Sequence, residues 1–68
     1  MNEDALNLEV RKFLKTVGIA SQRELEHAVL KAVEAGILEG SETLAVAMTL
    51  EAPALGIRHT IEGSIALE

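Results

Sequence analysis

The apolar residues of this 68-residue chain change their spacing near Thr43, and this change constrains the fold more than any other feature. Before Thr43 they recur every three or four residues, which is typical of one face of an α-helix. After it they alternate with small or polar residues, which is typical of β-strands with one face toward a core. The sequence therefore predicts a helical first half and a β-structured second half.

The first predicted helix covers residues 3–17. Its acidic start, Glu3 and Asp4, and its late Lys15 suit the helix dipole. Gly18 follows and predicts the end of this helix, because glycine adopts the left-handed conformation of a helix terminus without strain. The apolar positions at helical spacing are Leu6, Val10, Phe13, Leu14 and Val17.

A second helix is predicted over residues 22–35. Ser21-Gln22-Arg23-Glu24 has the form of a capping box, in which the first and fourth side chains bond each other's backbone N–H. Gly36 then predicts the helix end. The apolar positions of this segment are Leu25, Ala28, Val29, Ala32 and Val33.

Two strands are predicted over residues 43–51 and 57–67, joined by a turn that contains Pro53 and Gly56. A register that pairs Leu50 with Ile57 places both apolar sets on one face, whereas a slip by one residue would separate them. In this register the further facing pairs are Met48 with His59, Val46 with Ile61, and Leu44 with Gly63.

The order helix, helix, strand, strand predicts the α+β class and a single domain, residues 1–68. The expected architecture is a two-layer αα-ββ fold, with a helical hairpin packed on an antiparallel β-hairpin. No cysteine is present, so no disulfide can add stability to a domain of this size.

Several segments resemble a family of short bacterial proteins of unknown function. No activity is attached to that family, so the resemblance implies a compact domain and carries over no catalytic residue. The matching segments are Met1-Asn2-Glu3-Asp4-Ala5, Arg11-Lys12-Phe13-Leu14-Lys15, Gly18-Ile19, Ser21-Gln22-Arg23-Glu24, Glu42-Thr43-Leu44 and Ile61-Glu62-Gly63-Ser64-Ile65-Ala66-Leu67-Glu68.

Nucleic-acid binding is the alternative function. Two helices joined across residues 17–22 would form a degenerate helix-turn-helix, with Ser21-Gln22-Arg23 opening the recognition helix. Against this, that helix carries Glu24, Glu26 and Glu34, which would repel phosphates, and the chain has a net charge of −5. Nucleic acid is therefore not the expected partner.

The sequence offers one candidate metal site, Glu24 with His27, and one candidate pH switch, His59. Glu24 and His27 are spaced to share a helix face, as in di-iron bundles, but a single copy lacks the further carboxylates of such sites. A charged, solvated stripe is the simpler interpretation. His59 falls on the apolar face of the second strand, where it could titrate as a switch or rest with one nitrogen in water. No metal and no cofactor are expected.

Catalysis is not expected either. Ser41 and Ser64 lack the setting of a nucleophile elbow, and the Gly36-x-x-x-Gly40-Ser41 segment lacks the lysine of a phosphate loop. The N-terminus has no basic and apolar signal segment, which predicts a cytoplasmic protein.

Ala45, Ala47 and Thr49 form the predicted interaction surface. They are small, they alternate with the apolar residues of the first strand, and they leave that strand unguarded by charge. A lone two-stranded hairpin is marginally stable, so a symmetric dimer that joins two hairpins would protect it. The sequence therefore predicts a small non-enzymatic protein-interaction module. Its partner would be either a second copy of the chain, in a homodimer, or another protein.

Overall fold

The computed structural model describes all 68 residues, and it divides into two compact units, Met1–Ile37 and Leu38–Glu68. The first unit contains a single helix and the second an antiparallel β-hairpin, so the predicted α+β class is confirmed. In chain order the elements are α1 (Glu3–Glu34), β1 (Thr43–Ala52), one turn of 3-10 helix (Pro53–Leu55) and β2 (Ile57–Ala66).

The N-terminus of α1 is capped by Asn2. Its side-chain oxygen accepts a hydrogen bond from the backbone N–H of Ala5 at 3.1 Å. Glu3 and Asp4 occupy the first turn and Lys31 the last, so charges of the favourable sign lie at both ends of the helix dipole. These local signals fix the first and last turns of a 32-residue helix.

The predicted break at Gly18 is wrong, because α1 continues through it without interruption. Gly18 does not have the positive φ of a glycine that ends a helix. A break would leave about four C=O and four N–H groups without helical partners, whereas an interior glycine costs only about 1 kcal/mol relative to alanine. One helix therefore replaces the predicted helices 3–17 and 22–35, and the helical hairpin of the αα-ββ architecture is not formed.

The capping box predicted at Ser21 is wrong for the same reason. Ser21 and Glu24 lie inside α1, where the backbone N–H groups have helical partners and need no side-chain cap. The side chains here instead pair along the helix surface, since the Gln22 amide donates to the Glu26 carboxylate at 2.7 Å. The turn expected across residues 17–22 in the helix-turn-helix alternative is also absent, because these residues lie within α1.

The predicted end of the helix at Gly36 is confirmed. Gly36 has φ of 77°, and its N–H donates to the carbonyl of Val33 at 3.1 Å. The N–H of Ile37 donates to the carbonyl of Ala32 at 2.8 Å. These two bonds form a Schellman motif, which satisfies carbonyls that the helix end leaves free.

The hairpin matches the predicted strands to within one residue, but its register differs by two. Leu50 faces His59 instead of Ile57, and Met48 faces Ile61 instead of His59. The strands run on to the Ala52–Ile57 pair, so the connection is four residues long instead of six. A shift by two keeps every side chain on its predicted face, which is why side-chain alternation does not distinguish the two registers.

The four-residue connection has the turn chemistry that the sequence predicts. Pro53 begins its 3-10 turn, and Gly56 ends it with φ of 65°. The N–H of Gly56 donates to the carbonyl of Pro53 at 3.1 Å. Both residues therefore occupy backbone conformations to which they are suited.

Candidate interaction surface

A carboxylate fixes the start of the hairpin. Glu42 accepts hydrogen bonds from the backbone N–H groups of the three residues before it, with shortest distances of 2.9 Å to Glu39, 2.9 Å to Gly40 and 3.1 Å to Ser41. These bonds, led by that from Glu39, hold the pKa of the Glu42 carboxyl below its ordinary value. The Glu42 carbonyl also accepts from the N–H of Leu67 at 3.0 Å, so the same residue anchors both ends of the hairpin.

The Glu42–Leu67 bond also establishes which backbone groups of β1 point away from β2. In an antiparallel pair, hydrogen-bonded and non-hydrogen-bonded residues alternate. The register is regular along its whole length, so the even-numbered residues of β1 bond β2. The N–H and C=O groups of Ala45, Ala47 and Thr49 therefore point to the free edge of the sheet.

The predicted interaction residues consequently combine two properties. Ala45, Ala47 and Thr49 are exposed, and they present small side chains on one face together with unpaired backbone groups at the strand edge. The Thr49 hydroxyl lies 3.2 Å from the hydroxyl of its cross-strand neighbour Thr60. On this face a second strand can approach the edge from Ala45 to Thr49 without meeting a bulky or charged side chain of β1.

The outer edge of β2 carries charged side chains, in contrast to Ala45, Ala47 and Thr49 at the edge of β1. Arg58 and Glu62 lie at positions whose backbone groups point away from β1, and Arg58 pairs with Glu51 at 3.4 Å. Charged side chains are the usual means by which an edge strand avoids pairing with another chain. The two edges of the hairpin therefore present one permissive surface and one guarded surface.

The opposite face of the hairpin is apolar and is not buried. Ile61 is 60% exposed and Met48 is 42% exposed, although they face each other across the two strands. The residues that share this face are Leu44, Val46, Met48, Leu50, Ala52, Ile57, His59, Ile61, Gly63 and Ile65.

The helix also leaves its apolar side chains uncovered. Phe13 is 56% exposed and Leu6 is 52% exposed, and α1 contains no buried residue. Across the entire chain no side chain is buried, so neither unit has a hydrophobic core. In folded proteins, exposed apolar surface that is contiguous marks sites of contact with proteins, membranes or ligands.

The other candidate residues do not come together into a site. His59 lies on the apolar hairpin face, as predicted, but it is exposed and faces Leu50 instead of Met48. Glu24 and His27 lie on α1 with no third ligand, since no group of three or more His, Asp or Glu side chains is placed to hold a metal ion. No helix combines the length and the apolar character needed to cross a membrane.

Comparison with known families decides the relationship of this chain to others. A family model described as a family of unknown function, DUF6494, matches residues 1–68. The chain belongs to the DUF6494 family. The resemblance to an uncharacterised family is therefore confirmed over the full chain. No curated protein and no solved structure matches this DUF6494 chain.

The role of Glu42 is the feature that sequence reasoning missed in this DUF6494 member. In the sequence, the segment before β1 looks like a simple connector. In the structure, its backbone N–H groups, including those of Gly40 and Ser41, donate to the Glu42 carboxylate. The available signal is Gly40, which has φ of 101° and allows successive N–H groups to converge on one oxygen. A glycine and a serine directly before an acidic residue are thus the local pattern to recognise.

Proposed function

We propose that this DUF6494 chain is a small non-enzymatic protein-interaction module that pairs with a second copy of itself through β1. The observation that carries the proposal is the absence of any buried side chain. A folded chain must bury apolar surface to offset its conformational entropy, and a lone two-stranded hairpin is marginal. A second copy adds two strands to the sheet and gives the side chains of β1 new neighbours.

The free edge of β1 is the surface that favours pairing with a second copy. An antiparallel arrangement centred on Ala47 sets Ala45 of one copy opposite Thr49 of the other, with no like charges in contact. The two hairpins then form one four-stranded sheet, in which their apolar sides make one continuous face. At the edge of β2, an arrangement centred on Glu62 would set two carboxylates opposite each other, which disfavours that register.

The test is a lysine placed at the centre of this edge. Ala47→Lys and its control are both made in a Glu62→Gln background, because Glu62 faces Ala47 across the hairpin and would neutralise the added lysine. The lysine keeps the backbone N–H, but in the paired sheet it brings two like charges opposite each other. We expect the mass measured by light scattering to fall from twice 7.3 kDa to 7.3 kDa. Circular dichroism of the variant at high concentration checks that the hairpin still forms.

Ser64→Lys is the matched control. Ser64 faces Ala45 across the hairpin, but its backbone groups point to the opposite edge, so the added charge is equal and the edge differs. We expect this variant to keep the mass of a dimer. Equal dissociation of both variants, or a monomeric mass for the unmodified protein at high concentration, would contradict pairing through β1.

A further inference from the structure

The free edge of β1 is blocked at its N-terminal end by Glu42. The backbone groups that point to this edge belong to odd-numbered residues, so the next such position before Thr43 is Ser41. The Ser41 N–H donates to the Glu42 carboxylate at 3.1 Å. This donor is therefore not available to a second strand, and the pairing edge begins at Thr43.

The C-terminal end of the same edge is blocked by Pro53. Proline has no N–H, and Pro53 begins the 3-10 turn that follows the strand. Its carbonyl already accepts a hydrogen bond from the N–H of Gly56 at 3.1 Å. Pro53 therefore offers a second strand no donor, and its one backbone acceptor is already engaged.

The two blocked positions are equally far from the middle of the edge. Ser41 and Pro53 each lie six residues from Ala47 along the chain. A two-fold axis through an antiparallel pair sets residues at equal distances from the axis opposite each other. The positions between the two blocks that point to the free edge are Thr43, Ala45, Ala47, Thr49 and Glu51.

A pair centred on Ala47 sets the two blocked positions against each other. Ser41 of one copy then lies opposite Pro53 of the other, so neither faces a group that needs a partner. The five positions between them meet only one another. Every N–H and C=O group of the free edge therefore finds a partner in this register.

The neighbouring registers lack this match. A pair centred on Val46 would set the Glu51 carbonyl against the Ser41 N–H, which is already occupied. A pair centred on Met48 would set Thr43 of one copy against the proline of the other. Both leave edge groups without partners, which is costly inside a sheet.

Side-chain charge does not distinguish these registers. Glu51 is the one charged residue of β1. It would face Thr43 in the pair centred on Ala47, and an uncharged residue in either neighbouring register as well. The choice between registers therefore falls to the backbone groups at the two ends of the edge.

We infer that Glu42 sets the register of the pair, because it occupies the Ser41 N–H and so ends the edge at Thr43. This inference rests on the pairing through β1 proposed above, and it names the residue that selects one register over the next. Without the carboxylate, the Ser41 N–H is free to bond Glu51 of a second copy. The register centred on Val46 then gains this bond at both ends of the contact.

A single cysteine reports the register, because the chain contains none. Two copies of a residue on the two-fold axis have Cα atoms about 4.5–5.5 Å apart, which allows a disulfide. One residue from the axis, the two copies lie about 7–8 Å apart, which is too far. Under mild oxidation of the full chain, we expect Ala47→Cys to give about tenfold more disulfide dimer than Val46→Cys or Met48→Cys.

Removal of the Glu42 carboxylate should move the disulfide. Adding Glu42→Ala should raise the dimer yield of Val46→Cys about fivefold and lower that of Ala47→Cys. Glu39→Ala is the matched control, since it removes an equal charge from a side chain without a hydrogen bond or ion pair. If circular dichroism shows that Glu42→Ala loses the hairpin, Glu42→Gln replaces it, because a neutral acceptor binds the N–H groups more weakly.

The possible failures of the inference and of the pairing are distinguishable. A monomeric mass of the unmodified chain by light scattering would overturn the pairing itself. A dimeric mass with the disulfide at Val46→Cys or Met48→Cys, or with no disulfide in any variant, would overturn the register alone. A preference for Ala47→Cys that persists after substitution of Glu42 would overturn the role of this carboxylate.

Discussion

Two glycines in the helical unit differ in backbone conformation, and this difference decides where the helix ends. Gly36 has a positive φ and closes the Schellman motif, whereas Gly18 is helical. A β-carbon added at Gly18 would meet no heavy atom within 4 Å. Each is followed by an isoleucine, so the local sequence does not separate the two cases.

The same substitution is expected to have opposite effects at these two positions. Gly18→Ala should raise the free energy of unfolding by about 0.5–1 kcal/mol, because alanine is the better residue inside a helix. Gly36→Ala should lower it by about 1–2 kcal/mol, because alanine is strained at positive φ. Urea denaturation followed by circular dichroism measures both, and a destabilising Gly18→Ala would contradict the continuous helix.

Glu42 is expected to make stability depend on pH. Its pKa is lowered from 4.5 in the folded state by the backbone N–H bonds of residues 39–41, led by that of Glu39. A depressed folded pKa contributes stability that is present above the unfolded value and is lost as pH falls through the folded value. Stability should therefore decrease below about pH 4.5, and Glu42→Gln should remove this part of the decrease.

The matched control for this pH dependence is Glu39→Gln. The Glu39 backbone N–H donates to Glu42, but its own side chain makes no hydrogen bond or ion pair, so the substitution leaves the carboxylate turn intact. Acid denaturation curves of the two variants and the parent provide the comparison. Curves for Glu42→Gln and the parent that coincide below pH 4.5 would contradict the role of the turn.

At the scale of elements, the strands are predicted better than the helix. Alternation identifies both strands, because burial of one face requires a period of two and a slip of one residue would reverse the faces. It does not distinguish the pairing of Leu50 with Ile57 from that with His59, since only the length of the turn differs. In the helix, the four residues from Ser21 satisfy a capping pattern that the continuous backbone never uses.

The candidate interaction surface is likewise predicted only in part from the sequence. The small side chains of Ala45, Ala47 and Thr49 are visible in the sequence, and their place on the free edge requires the hydrogen-bond pattern of the sheet. The charge on β2 is also visible, but only the register places Arg58 and Glu62 on the outer edge. The sequence thus predicts which strand would pair, and the structure adds which atoms that strand leaves free at its edge.

At the scale of the whole molecule, the lack of any buried side chain predicts that folding depends on association. If a second copy covers the exposed apolar surface, mass action raises the folded population as protein concentration rises. We expect the midpoint of thermal unfolding to increase over a hundredfold range of concentration. Calorimetry or circular dichroism at each concentration measures this, and a constant midpoint would contradict stabilisation by a second chain.

Under the proposed pairing, the difference in charge between the two hairpin edges also sets how far the sheet can extend. A ribbon with two permissive edges could add neighbours without end and extend into a fibre. In the proposed pair both outermost strands would be β2 strands, which carry Arg58 and Glu62. Charge at these edges would then disfavour the addition of a third copy and the growth of a fibre.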